Sequence, residues 1–158
     1  MAAIEQFQFD NGAITLTKDA MISYSTNLAV TDPNSSGAGN NTIALDTNGR
    51  GSGGDRNDKL FVGTGGGNTL YGSAGVDRFW IANAELPTTA NTIVDFQVGT
   101  DVIGIQGAKS LGISASTLKL NQVGADTAIN FGSKTLAILT GIQATSLSPG
   151  NASQFVFA

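Results

Sequence analysis

A chain of 158 residues with 21 glycines, a net charge of −4 and only 13% charged side chains is long enough to bury one real core. Its glycine content, against a usual share of roughly 7%, points to a β-rich chain with many tight turns. Histidine and cysteine are both absent, which excludes Ser-His-Asp and Cys-His nucleophile systems, imidazole or thiolate zinc sites and disulfides.

The acids are ten Asp and two Glu against eight Lys plus Arg, a poor match to nucleic acid or an anionic membrane surface. Any metal bound by such a chain must be a hard cation that takes oxygen ligands. No apolar run reaches the roughly 18–20 residues that cross a bilayer. The first ten residues hold neither a basic nor an apolar stretch, so Sec-type export from the N-terminus is not expected.

Phe7 and Phe9 alternate with Gln6, Gln8 and Asp10, and Ile14 and Leu16 alternate with Thr15 and Thr17. With Asn11-Gly12 between them, this predicts a hairpin. Residues 31–41, TDPNSSGAGNN, have loop chemistry and precede a short apolar piece at 42–45. The stretch 46–51 begins like an EF-hand loop, but Arg50 stands where an acid is needed and Asn57 where the closing Glu belongs. Residues 1–52 are expected to cap the rest of a single domain.

From residue 53 the chain repeats in nines: GGDRNDKLF at 53–61, GTGGGNTLY at 63–71 and GSAGVDRFW at 72–80, with Val62 as one extra residue. Position one is Gly53, Gly63, Gly72; position six is Asp58, Asn68, Asp77; position eight is Leu60, Leu70, Phe79; position nine is Phe61, Tyr71, Trp80. A flexible linker has no reason to place a large apolar residue two places after every Asp or Asn, whereas a strand that buries one side chain per turn does. Glycine suits the first six positions because it takes φ > 0 at little steric cost, as a sharp turn requires. A fourth, degenerate copy reads SGAGNNTIA at 36–44.

This pattern resembles the GGxGxDxUx nonapeptide of hemolysin-type calcium-binding (RTX) proteins. The chain departs from it at Arg56, Thr64 and Ser73, which replace glycines, and at Asn68, which replaces the acid. The resemblance implies an all-β fold: a short parallel β-roll of about three repeats at 53–80, flanked by antiparallel strands, with a sandwich-like β-rich region at 81–158. It implies calcium as the cofactor, shared between turns on the same side of the roll. Asp58 and Asp77 would then face one ion, with the carbonyls of Gly53, Asp55, Gly72 and Ala74 as companions. Asn68 lies in the opposite turn, where a second site would have Asn41 as its nearest partner. The reading that competes for Asp58 and Asp77 is that they cap turns by hydrogen bonds to nearby amides.

Residues 93–105, IVDFQVGTDVIGI, resemble the I-x-D-F-x-x-G-x-D-x-I segment that follows the repeats in many RTX proteins. There Asp95 and Asp101 either bind another calcium or hold the loop by hydrogen bonds. Strands are predicted at 118–123, 126–131 and 135–139, with turns at Gly124-Ala125 and Gly132-Ser133, and short helical turns near 108–111 and 142–147. The alternation through 127–131 predicts a sheet with one wet face. The closing Phe155-Val156-Phe157-Ala158 reads as a terminal strand. It also resembles the apolar tail by which part of the RTX family is exported through type I machinery, although Gln154 precedes it where an acid is usual.

Three functions follow. The first is a non-catalytic calcium-binding module that folds on meeting calcium after type I secretion and serves a secreted or cell-surface protein. The others are a surface-attached structural or adhesive protein, for which the aromatic series Phe61, Tyr71, Trp80 would be a contact column, and the non-catalytic tail of a larger secreted hydrolase with its active domain upstream. Intrinsic catalysis is not expected, because nothing frames Glu5, Glu85 or the aspartates as an acid/base pair.

Overall fold

The computed structural model describes residues 39–158 and, as backbone, strands β1 (Gln6–Gln8) and β2 (Thr15–Thr17). β1 and β2 pair antiparallel with Phe7 opposite Leu16, as the alternation there predicts. The Asn11-Gly12 turn lies outside the described residues.

From residue 42 the chain winds as a parallel β-solenoid of about three turns. One sheet contains β3 (Thr42–Thr47), β5 (Lys59–Gly66), β7 (Arg78–Asn83), β9 (Val102–Gln106) and β13 (Phe155–Phe157), all parallel neighbours in that order. The facing sheet starts with β4 (Arg50–Asp55), β6 (Thr69–Ala74) and β8 (Asn91–Ile93). After β9 come a single helical turn, α1 (Ala108–Leu111), and an antiparallel meander of β10 (Leu118–Val123), β11 (Asp126–Phe131) and β12 (Lys134–Leu139). β12 lies parallel beside β8, so it supplies the half-coil that would follow β9. The C-terminal region therefore extends the two facing sheets of the roll, with the antiparallel meander at the edge of one of them. A 3-10 turn at Ala144–Ser146 leads back to β13.

The core is a set of columns running through the coils. Ile43, Leu60, Phe79, Ile103 and Phe155 stand in register across the first sheet and are buried. Leu70, Ile93 and Leu139 do the same across the second. Each such side chain contributes roughly 1.5–3 kcal/mol when fully buried, and a coil has no face of its own to bury until the next one stacks on it. Gly51 pairs with Leu70 and occupies a column position without filling it. Leu45 fills the space instead: a Cβ on Gly51 would lie 3.0 Å from Leu45 Cδ1 and 3.2 Å from Ile43 Cγ2.

Two corner positions hold positive φ in successive coils whatever residue is present. Gly54 (97°) is matched by Ser73 (72°), and Arg56 (91°) by Gly75 (132°). A side chain there costs roughly 1–2 kcal/mol, and glycine returns about 0.5–1 of that through its greater freedom when unfolded. Arg56→Gly is accordingly expected to raise stability by about 0.5–1 kcal/mol in urea unfolding, since the Arg56 side chain is exposed.

Consecutive repeats alternate between the sheets, and this splits the aromatic series. Phe61 and Trp80 stack with centroids 5.6 Å apart and an interplanar angle of 6°, on the sheet of β5 and β7. Tyr71 sits in β6, with the Arg50 guanidinium 4.5 Å above its ring. β11 also differs from the one-wet-face expectation. It lies between β10 and β12, and Thr127, Ala128 and Ile129 are all buried in a row.

Candidate metal centre

At each corner of a solenoid the amide just before a strand must find an acceptor, because the ladder has not yet begun. On one edge the acceptors are aspartates. Asn41 N–H donates to Asp58 Oδ1 (2.6 Å), Asp58 N–H to Asp77 Oδ1 (2.9 Å) and Asp77 N–H to Asp101 Oδ1 (3.0 Å). Position six of each coil thus reads the same position of its neighbour, and the seam ends where Gln97 N–H donates to Asp101 Oδ2 (2.8 Å).

The opposite edge carries the same ladder in amides. Gly49 N–H donates to Asn68 Oδ1 (2.8 Å) and Asn68 N–H to Asn91 Oδ1 (3.2 Å). Here the second atom of the side chain is also used. Asn68 Nδ2 donates to Asp46 O and to Asn91 Oδ1, and Asn91 Nδ2 to Leu136 O.

At Asp58 and Asp77 the aspartate seam has no such completion. Asp58 and Asp77 are 1% and 0% exposed, and the Oδ2 atom of each is buried without a hydrogen-bond partner. These oxygens lie against the starts of their own repeats: a Cβ on Gly53 would collide with Asp58 Oδ2 and one on Gly72 with Asp77 Oδ2. Glycine at position one is therefore required by the approach of the aspartate five residues later. An unsatisfied buried acceptor costs about 1–3 kcal/mol, and more when it is charged.

Burial pushes the Asp58 carboxyl above its ordinary range, opposed in part by the Asn41 amide. Asp77 rises from 3.8 to about 6, first through burial and then through the nearby Asp101, Asp58 and Asp95 charges, against the lowering effect of the Asp58 amide. Asp101 is raised by burial and by Asp95, with the Gln97 and Asp77 amides opposing. Burial is the largest cause at all three carboxyls, so the seam as a whole resists ionisation.

The structure places the residues singled out in the sequence as follows. Asp58, Asp77, Gly53 and Gly72 come together on one seam. Asp55 and Ala74 pair across β4 and β6 and are exposed. Asp95 accepts from Gly72 N–H and Ser73 N–H, both at 2.9 Å, and Asp101 from Asp77 and Gln97, so both hold the loop by hydrogen bonds. Asn68 is on the amide seam. Asn41 is not beside it: Asn41 belongs to the aspartate seam and donates Nδ2 to Gly53 O (3.2 Å). Among the described residues no three acidic side chains gather as a metal cluster. A cation here would rest on two carboxylates supplemented by carbonyl oxygens, and the orphaned Oδ2 atoms fit that requirement.

No family model, curated protein or solved structure matches the chain.

Two parts of the repeat frame escaped the sequence reading. Asn91 is the position-six residue of its half-coil, displaced by the additional residues of the 84–90 connection. The half-coil at 46–52, which starts like an EF-hand loop, is a repeat with Gly49 at position six, Gly51 at position eight and Ser52 at position nine, in register with Leu70 and Tyr71. The residual signal is its spacing to Gly53.

Proposed function

We propose that the chain is a calcium-binding β-roll module of the RTX type, without catalysis of its own, which folds when it meets calcium outside the cell after type I secretion. The observation that carries this reading is the pair of buried, partnerless carboxylate oxygens on Asp58 and Asp77, beside an amide seam of the same shape in which the second side-chain atoms are satisfied. Asp58 and Asp77, with carbonyls of the Gly53 and Gly72 turns, would hold the ion. Calcium supplies positive charge and tolerates six to eight oxygens in irregular geometry, whereas magnesium demands a near-octahedral shell.

The residues do the rest. Without the ion, two buried acceptors oppose closure of the corners, and a coil that cannot close leaves its column residues exposed. Extracellular modules bind calcium with Kd of about 10⁻⁴–10⁻³ M, so millimolar calcium converts binding free energy into folding free energy. An unfolded chain suits passage through a narrow exporter. The apolar Phe155–Phe157 segment is the part that resembles a type I export tail, and no helix among the described residues is long and apolar enough to cross a membrane. Any catalytic or adhesive activity would belong to an upstream domain of a larger protein.

The combined Asp58→Ala and Asp77→Ala variant is expected to lose the calcium-induced gain of β signal in far-UV circular dichroism. A titration indistinguishable from that of the unaltered chain would remove these residues from the site.

A further inference from the structure

Five buried side chains occupy equivalent corner positions of the roll without a completing loop amide: Asn41, Asp58 and Asp77 on one seam, Asn68 and Asn91 on the other. All three asparagines donate Nδ2 inside the protein, Asn41 to Gly53 O, Asn68 to Asp46 O and Asn91 Oδ1, and Asn91 to Leu136 O. The two aspartates are buried as deeply and make the same bond through Oδ1. They differ in presenting an acceptor where the asparagines present a donor, and only there is the atom left alone. Asp101 escapes this because Gln97 N–H completes it. Aspartate and asparagine have the same shape, so the difference lies in hydrogen-bond polarity and charge rather than packing.

We propose that cation dependence in this roll is confined to Asp58 and Asp77, that the Asn68–Asn91 seam is its metal-free equivalent, and that replacing both aspartates by asparagine frees the fold from the cation. This rests on the calcium reading for the identity of the ion, but not for the equivalence of the two seams. The β4–β6 register, with Ser52 opposite Tyr71 and Gly54 opposite Ser73, puts Gly72 one coil on from Gly53. The turn carbonyl that receives the Asn41 amide thus has a counterpart for the Asp58→Asn side chain. Asn68, with both its amide atoms engaged by the protein, is a structural rung and not a ligand.

The test uses the full chain, calorimetric titration with calcium chloride and thermal unfolding in chelator. The Asp58→Asn/Asp77→Asn variant is expected to take up no calcium at these sites, and in chelator at neutral pH to fold and melt cooperatively, about 5 °C or more above any transition that the unaltered chain shows in the same buffer. Asn68→Ala is expected to melt lower while keeping the unaltered calcium stoichiometry. Loss of calcium binding in Asn68→Ala that still folds, or an asparagine double variant that melts no higher in chelator, would overturn the proposal. Should Asn68→Ala fail to fold with or without calcium, the chelator melting of the double variant decides alone. An unaltered chain that binds no calcium, alongside a double variant that melts higher, would refute the calcium reading and uphold the equivalence of the seams.

Discussion

In chelator the protein is expected to lose stability as pH rises from about 4 to about 7, the opposite of what paired carboxylates give. Asp77 is fully buried, and its folded-state pKa stands at about 6 against an ordinary 3.8. The folded chain then holds this proton more tightly than the unfolded one. The stabilisation is complete below the unfolded value and is lost as pH passes through the folded one. Asp58 and Asp101 are shifted in the same direction and steepen the fall. Thermal unfolding across this window should show the decline in chelator, a flatter profile in millimolar calcium, and a reduced slope in Asp77→Asn. A chelator profile that rises from pH 4 to pH 7 would show that the seam is not short of positive charge.

Phe79→Ala is expected to cost about 3–5 kcal/mol, the range for deleting a fully buried aromatic side chain. Phe79 is 0% exposed and stands between Leu60 and Ile103 in the first column. Its ring faces Phe96 at a centroid distance of 6.1 Å, and a Cβ on Gly72 would lie 2.9 Å from its Cζ. It therefore joins two coils and the loop above the aspartate seam, and its loss opens a cavity between coils that cannot slide together while the strand ladders hold. Urea unfolding in saturating calcium checks this. Phe61→Ala, which removes a half-buried outer ring stacked on Trp80, should cost distinctly less.

The nonapeptide frame was the legible part of this chain. Position six became the two seams and position eight the core columns, because a solenoid repeats its local environment and a repeated environment imposes a repeated residue type. The meander was also legible, with strands observed at Leu118–Val123, Asp126–Phe131 and Lys134–Leu139, because two-residue turns fix antiparallel neighbours locally. What stayed hidden was pairing over distance. Nothing near β12 in sequence announces that its second edge meets β8, since that contact depends on how many coils precede it.

The half-coil at 46–52 was hidden for a different reason. Gly51 sits where the frame asks for a large apolar residue, and Leu45 of the preceding strand fills the vacancy, so the packing is conserved in space while the letter is not. The aromatic residues misled in the opposite way. Phe61, Tyr71 and Trp80 repeat every nine or ten residues, but half a coil separates successive copies, which sends Tyr71 to the other sheet. Asp101 looked like part of a segment after the repeats, yet it is the next rung after Asp77. The Asp/Asn alternation at position six was visible throughout; its meaning, a seam short of donors facing a seam that is complete, rests on where Oδ2 and Nδ2 lie in the fold.

The most direct measurement is far-UV circular dichroism of chelator-stripped protein during a calcium titration, with magnesium as the control. The account predicts a weak β signal at the start that rises with calcium at about 10⁻⁴–10⁻³ M and does not respond to magnesium over the same range. A full β signal already present in chelator and unmoved by calcium would contradict it, because the aspartate seam would then close without a cation.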